Sequence, residues 1–187
     1  MSPRRPYEVM ASEHLWQSRW YNLRQDRLRA ADGSEVTYTI VDKPAAVWVV
    51  PVTAEGMLVL INQYRYPVDD WCLEVPAGNV EAGCDPAEMA ARELREEIGG
   101  SAAQIIPVAE FYTMNGIGNE VAWVFLALGV RLGQPSREPT EHMEVCAVPI
   151  AEALRMARTG QIKDGPSALA ILLCAAELSV AFPEGDI

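Results

Sequence analysis

The chain has 187 residues, and half of them are apolar, which suits a globular domain with a sizeable core and excludes a disordered segment. Its 15 Lys and Arg residues and 26 Asp and Glu residues give a formal net charge of −11, which argues against a general nucleic-acid binder with a basic surface. With two histidines and four cysteines that form no CxxC pair, we expect no zinc site and free thiols in a reducing cytosol.

The amino-terminal segment contains arginines without an apolar run after them, so we expect no secretory signal. The most apolar segment, residues 168–180, is too short to cross a bilayer. We therefore expect a cytoplasmic protein that has no membrane partner.

Turn signals separate short apolar strands along much of the chain. Asp32-Gly33 predicts a hairpin turn inside a strand-like region over residues 16–41, and Glu55-Gly56 predicts a second hairpin. Apolar runs predict further strands at residues 45–52, 57–63, 72–75, 108–112, 121–128 and 145–148.

Three segments have helical character. The first covers residues 86–98, where Asp85 can cap the helix, Pro86 suits its first position and Gly99-Gly100 ends it. Two C-terminal helices are predicted at residues 149–158 and 167–180. Helices and strands mixed in this way predict an α+β fold or an α/β sandwich.

The helix over residues 86–98 has two distinct faces. An apolar stripe that includes Leu94 should pack on a sheet, whereas Glu93, Glu96 and Glu97 fall together on another face. Such a run is compatible with a solvated helix surface. The glycine-containing loop before it instead favours a ligand site, because clustered carboxylates are hard oxygen ligands that suit Mg²⁺ or Mn²⁺.

The stretch from Gly78 to Gly100 resembles the Nudix box. Gly78, Cys84 and residues 92–100 (RELREEIGG) follow its pattern, Gly-x5-Glu-x7-Arg-Glu-hydrophobic-x-Glu-Glu-x-Gly-hydrophobic. Cys84 stands at the first glutamate of the pattern, and Gly100 stands at its last hydrophobic position. The resemblance to Nudix hydrolases implies an α+β fold, an α/β/α sandwich with a mixed β-sheet between helices, and hydrolysis of a nucleoside diphosphate linked to another moiety.

Carried over by position, the resemblance also implies roles for the box residues. Glu93 and Glu97 would bind Mg²⁺, or alternatively Mn²⁺, together with the carbonyl of Ala77. Glu96 would assist these two metal ligands as a catalytic residue. Arg92 would orient the glutamates rather than contact the substrate.

Residues 63–67 (QYRYP) and 73–78 (LEVPAG) resemble the subgroup that hydrolyses ADP-ribose and related nucleotide sugars. This likeness implies that Arg65 contacts the diphosphate and that Glu74 and Gly78 lie at the substrate. Arg65 as a surface cation and Glu74 as a salt-bridge partner are the alternatives. Trp20 is a candidate to stack on the base, with packing in a core or a dimer interface as its alternative.

The subgroup takes its general base from an acidic loop before the last strand, which here covers residues 136–144 (SREPTEHME). Glu141 is the first choice and Glu138 the second, since a base must reach the attacking water directly or through one bridging water. A purely solvated loop is the alternative for either residue.

The resemblance divides the chain into an N-terminal β-region over residues 1–43, through which this subgroup forms homodimers, and a hydrolase domain over residues 44–187. The implied reaction is metal-dependent hydrolysis of a nucleoside diphosphate sugar, with ADP-ribose as the first choice. Asn115 stands where ADP-ribose hydrolases carry proline, which leaves room for GDP-mannose or another nucleotide sugar. A hydrolase of a different diphosphate, such as a dinucleoside polyphosphate or NADH, is a further alternative among enzymes. A non-catalytic domain that senses a nucleotide is the alternative from another class.

Overall fold

A computed structural model describes residues 5–136 and 142–183 of the chain. In chain order its elements are β1 (Tyr7–Gln17), β2 (Asn22–Ala30), β3 (Glu35–Asp42), β4 (Ala46–Val52), β5 (Met57–Arg65), a 3₁₀ turn (Tyr66–Val68), β6 (Asp70–Glu74), β7 (Ala77–Asn79), α1 (Pro86–Ile98), β8 (Gln104–Tyr112), β9 (Val121–Leu128), β10 (Met143–Pro149), α2 (Ile150–Arg158), α3 (Gly165–Leu173) and α4 (Ala175–Ala181). The described chain divides into two compact units. The first is Met1–Pro44 with Tyr112–Val121, and the second is Ala45–Phe111 with Ala122–Ile187.

The first unit contains an antiparallel sheet whose described strands run in the order β1–β2–β3. The β2–β3 hairpin turns at Gly33, which has a φ of 87°, and the Asp32 carboxylate accepts a hydrogen bond from the Ser34 N–H at 3.0 Å. The predicted hairpin is therefore confirmed. Strand β1 is exposed along almost its whole length, so no alternation of apolar and polar residues indicated it.

The second unit is built on a mixed sheet, in which the described strands follow the order β10–β5–β4–β9–β8. Strands β4 and β9 run parallel, and β5 is antiparallel to both β6 and β10. The short β7 pairs with β4 through Ala77 and Trp48. Nearly all of β4 is buried, which explains its continuous apolar sequence, because helices cover both faces of the sheet.

Helix α1 packs on one face of this sheet through Met89, Ala90, Leu94 and Ile98. Helices α2, α3 and α4 cover the opposite face with buried side chains such as Leu154, Ile171 and Leu178. The second unit is thus an α/β/α sandwich with a mixed sheet, and the predicted fold class is confirmed.

Two elements of the second unit also differ from the sequence prediction. The single helix predicted over residues 167–180 is two helices, because the chain departs from helical geometry at the buried Cys174, whose ψ is −3°. The loop predicted after Pro76 contains strand β7, which is too short to show a hydrophobic period. Across residues 5–136 and 142–183, no helix is both long and apolar enough to cross a bilayer.

Candidate active site

Helix α1 begins and ends as its sequence predicts. The Asp85 carboxylate accepts a hydrogen bond from the Ala87 N–H at 3.0 Å, and Pro86 occupies the first helical position. At the other end Gly99, with a φ of 64°, closes the helix in the left-handed conformation. These caps fix where the helix starts and ends, and therefore where its glutamates point.

Glu97 is buried, with only 6% of its surface exposed, although the helical pattern groups it with an acidic face. Its carboxylate accepts a hydrogen bond from the Ala77 N–H at 3.2 Å. Since Ala77 belongs to β7, the last turn of α1 is joined to the sheet at this point. The role of the Ala77 carbonyl as a metal ligand stays a prediction.

The Glu93 carboxylate lies directly against the backbone of Gly78. A Cβ atom built at Gly78 would overlap this carboxylate, so a residue with a side chain there would force the Glu93 side chain away from the backbone. Glu93 and Glu97 are one helical turn apart, and they contact the same two-residue segment, Ala77 and Gly78. Glycine at position 78 therefore lets the Glu93 carboxylate lie close to the backbone.

Glu96 is bound to Arg92, one turn earlier on the same helix. The Arg92 Nε donates to Glu96 Oε1 at 2.8 Å, and its Nη1 donates to Glu81 Oε1 at 2.6 Å. Hydrogen bonds to Glu96 and then to Glu81 raise the pKa of the Arg92 guanidinium above its ordinary value. Glu81 was not predicted as a site residue, although its carboxylate within the box loop was a signal for it.

Arg65 and Glu74 form a bidentate ion pair across the adjacent strands β5 and β6. The Arg65 Nε donates to Glu74 Oε1 at 2.7 Å, and Nη2 donates to Oε2. Glu74 is buried, whereas 45% of the Arg65 side chain is exposed, so its other N–H groups can reach a ligand. The pairing agrees with the salt-bridge alternative for Glu74, and its contact with a substrate stays a prediction.

Hydrogen bonds from Arg65 to Glu74 raise the pKa of the guanidinium most, and the negative charges of Glu74, Asp164 and Glu97 raise it further against the effect of burial. The buried carboxylate of Glu97 therefore lies within electrostatic reach of Arg65. The structure pairs Arg65 directly with Glu74, whereas the effect of Glu97 on Arg65 is that of a nearby charge.

Helix α3 fixes the chain just before the Ala77–Gly78 segment. The buried Ser167 hydroxyl accepts a hydrogen bond from the Val75 N–H at 3.1 Å. Asp164 caps the helix by accepting from the Ser167 N–H at 2.9 Å. Neither residue was predicted as functional, although Asp164 before Gly165-Pro166 carries the signal of a helix start.

Glu138 and Glu141 lie outside the described residues. The residues on either side of that segment are held by the second unit, since the Ser136 N–H donates to the Glu96 carbonyl at 2.9 Å and the Tyr64 N–H donates to the His142 carbonyl at 3.1 Å. Trp20 lies in the first unit, where the Arg19 guanidinium carbon is 4.1 Å from the centre of its ring.

A divalent cation is chemically compatible with the two glutamates that flank Ala77 and Gly78. Carboxylate oxygens are the hard ligands that Mg²⁺ and Mn²⁺ prefer, and the lack of a side chain at Gly78 leaves the Glu93 carboxylate against the backbone. Over the part of the chain that the structure describes, no three His, Cys, Asp or Glu side chains form a ready-made metal cluster. Glu93 and Glu97 are the residues that would hold the cation.

The sequence and the structure both match known proteins. The family model of the NUDIX domain matches residues 42–168. An ADP-ribose pyrophosphatase of Bacillus subtilis (strain 168) is 32% identical over 166 residues, which cover 88% of this chain and 90% of that protein. An ADP-ribose pyrophosphatase of Mycobacterium tuberculosis (strain ATCC 25618 / H37Rv) is 34% identical over 159 residues, or 83% and 77% of the two chains. The crystal structure of an ADP compounds hydrolase matches 96% of this chain and 98% of its own with a TM-score of 0.83 and 18% identity.

Proposed function

The chain belongs to the NUDIX domain family and is a Nudix pyrophosphohydrolase, and on that premise we propose that it hydrolyses ADP-ribose to AMP and ribose 5-phosphate with Mg²⁺. The observation that carries the proposal is the Ala77–Gly78 segment between Glu93 and Glu97, with Arg65 within electrostatic reach of Glu97. Two ADP-ribose pyrophosphatases that match most of the chain support the choice of substrate.

In this proposal Glu93, Glu97 and the carbonyl of Ala77 hold the divalent cation. Such cations, when bound, neutralise diphosphate oxygens and lower the pKa of water. This chemistry also explains how a chain with a net charge of −11 can act on an anionic substrate. Glu96 assists these metal ligands, and its hydrogen bond with Arg92 sets the orientation of its carboxylate.

Arg65 is the residue that binds the diphosphate in this proposal. Its two hydrogen bonds to the buried Glu74 hold the planar guanidinium in one orientation, which lowers the entropy lost when it binds an anion. Gly78 is proposed to lie at the substrate, beside the Glu93 carboxylate that rests against its backbone.

We assign the general base to Glu141, with Glu138 as the second choice. The proposal is supported by the two residues that bracket them, because Ser136 is bonded to the Glu96 carbonyl and His142 to the backbone of Tyr64, next to Arg65. The base accepts a proton from the attacking water, and the water oxygen forms a new bond to one phosphorus. The bond from that phosphorus to the bridging oxygen breaks, so the second phosphate leaves with that oxygen and the two products each carry one phosphate.

The first unit is proposed to serve homodimer formation, and Trp20 is proposed to stack on the base of the substrate. Exposed aromatic side chains of this unit, which include Trp16, Trp20 and Tyr38, supply apolar surface for both roles. A monomer in light scattering at all concentrations would contradict the dimer.

The four cysteines are free thiols, which supports the proposal of a cytoplasmic location.

GDP-mannose is the second candidate substrate. The exposed Asn115 lies in the β8–β9 loop, at the position where ADP-ribose hydrolases carry proline, and this departure favours a different sugar or base. A substrate with another leaving group would use the same glutamates and Arg65.

The test is a substrate panel of ADP-ribose, ADP-glucose, GDP-mannose and UDP-glucose with Mg²⁺, in which products are separated by chromatography. We expect AMP and ribose 5-phosphate from ADP-ribose at the highest kcat/KM. A higher kcat/KM for GDP-mannose would move the assignment to that substrate. If no compound releases a nucleoside monophosphate, the proposed function is wrong.

A further inference from the structure

Arg92 retains a carboxylate partner in the box loop although position 84, the first glutamate of the box pattern, is a cysteine. The Cys84 thiol is exposed. The Glu81 carboxylate, three residues earlier, accepts a hydrogen bond from Arg92 Nη1 at 2.6 Å, while Nε binds Glu96 at 2.8 Å. The guanidinium thus joins one carboxylate of the loop to one carboxylate of helix α1.

Glu81 and Cys84 are the first and last residues of one tight turn. The Cys84 N–H donates to the Glu81 carbonyl at 3.0 Å, and Gly83 has a φ of 83°, which glycine adopts without strain. The ends of such a turn lie within about 7 Å of each other between Cα atoms. Both ends of the turn therefore belong to the same short piece of the loop that carries the Glu81 partner of Arg92.

We propose that Glu81 is a positioning residue for the hydrolytic reaction and replaces the carboxylate that the box pattern has at position 84. Glu81 anchors Arg92, and Arg92 in turn holds the Glu96 carboxylate in its working orientation. The inference rests on the proposed function, because the role of Glu96 in the reaction belongs to that proposal.

The exposure of these side chains favours a positioning role over a role in stabilising the fold. Arg92 and Glu81 are 44% and 61% exposed, and ion pairs of this kind contribute little to the stability of a fold. Glu96 also lies three residues from Glu93 on α1, where like charges repel. An Arg92 held only by Glu96 would rotate with it, whereas a second bond to the loop fixes the guanidinium and, through it, the carboxylate.

Glu81→Gln tests the role, since it keeps the size of the side chain and removes its charge. We expect kcat for ADP-ribose to fall about tenfold, which is typical when an outer partner of a metal-site residue is lost. The KM should stay near its wild-type value, because Glu81 does not bind the substrate in this account. The melting temperature should change by less than about 3 °C, because the pair is exposed.

Glu88→Gln is the matched control. It makes the same charge change at an exposed residue of α1, and the described side-chain hydrogen bonds of Arg92 go to Glu81 and Glu96 instead. We expect it to keep the wild-type kcat. In the double variant Glu81→Gln/Cys84→Glu a carboxylate returns at the other end of the turn, and we expect most of the lost kcat to be recovered.

A second measurement, Mn²⁺ binding followed by electron paramagnetic resonance without substrate, should show weaker binding in Glu81→Gln and wild-type binding in Glu88→Gln. Wild-type kcat and Mn²⁺ affinity in Glu81→Gln, equal losses in Glu88→Gln, or a folded double variant without recovery would overturn the inference. A double variant that fails to fold leaves the comparison of the two single variants to decide. If wild-type protein releases no AMP, the proposed function fails, and Mn²⁺ affinity still tests Glu81.

Discussion

Arg65 offsets the free-energy cost of burying two carboxylates in the described part of the second unit. Glu74 and Glu97 are 4% and 6% exposed, and a charge taken out of water costs several kcal/mol unless partners compensate for it. Glu74 has the bidentate pair with Arg65, and Glu97 has the Ala77 N–H together with the nearby positive charge of Arg65. The same guanidinium that is proposed to bind the diphosphate therefore also supports the carboxylates beside it.

Arg65→Lys should damage both roles, because lysine keeps the charge but cannot form a planar bidentate pair. We expect KM for ADP-ribose to rise about tenfold, which corresponds to about 1.4 kcal/mol. The melting temperature should also fall by several degrees, because Glu74 stays buried with a poorer partner. Steady-state kinetics and thermal melting measure the two effects.

Arg158→Lys is the control for this substitution, since Arg158 is exposed on the last turn of α2 and should tolerate lysine in both assays. Wild-type KM and melting temperature in a folded Arg65→Lys protein would contradict the dual role of Arg65.

At the scale of elements, helix α1 is fixed at its end by close backbone packing. Gly99 has a φ of 64°, and a Cβ atom there would overlap the backbone of Gly133. The same segment then reaches Ser136, which binds the Glu96 carbonyl. The end of the helix and the chain that leads towards Glu138 and Glu141 are therefore joined by a position that accepts only glycine.

Gly99→Ala should destabilise the protein by more than its backbone conformation alone accounts for. Gly160 provides the comparison, because its φ is 75° and nothing lies within 4 Å of a Cβ built there. We expect Gly160→Ala to cost about 1 kcal/mol and Gly99→Ala clearly more, as measured by urea unfolding. Equal costs for the two substitutions would show that Gly133 moves aside freely.

Elements whose bounds depend on neighbouring residues in the sequence can be predicted from the sequence alone. The caps of α1, the β2–β3 hairpin and the extent of β9 follow from turn residues and apolar runs, and the structure confirms them. Strand β7 pairs with β4, which is distant in sequence, and the break at the buried Cys174 falls inside an apolar run without Gly or Pro, so neither has a local signal.

The candidate site also combines residues that the sequence pattern identifies with contacts that only the fold creates. The box pattern identifies Glu93, Glu96 and Glu97, but the burial of Glu97 depends on the unpredicted strand that carries Ala77. Glu81 is paired with Arg92 across eleven positions of the sequence, and helical spacing contains no information about such a contact.

At the scale of the whole molecule, the buried Cys174 thiol makes the free energy of unfolding depend on pH in the alkaline range. Burial raises the pKa of the Cys174 thiol to about 12. In the unfolded chain this thiol titrates near pH 8.5, so above that pH the unfolded state loses a proton that the folded state keeps. The free energy of unfolding therefore falls by up to about 1.4 kcal/mol per pH unit between roughly pH 9 and 12.

Urea unfolding at pH 8 and pH 10 measures this loss, and Cys174→Ala lacks the titrating group. We expect the midpoint of the wild-type protein to fall more between the two pH values than that of the variant. The same decrease in both proteins would assign the pH dependence to other groups.

The most direct test of the account is turnover of ADP-ribose in ¹⁸O-labelled water with Mg²⁺, by wild-type protein and by Glu97→Gln. The glutamine can still accept the Ala77 N–H, so the variant should fold normally while it loses a metal ligand. We expect the wild type to give AMP and ribose 5-phosphate with ¹⁸O in one of them, and the variant to give neither. Turnover at the wild-type rate in folded Glu97→Gln, or products without label, would contradict a hydrolysis that depends on this site.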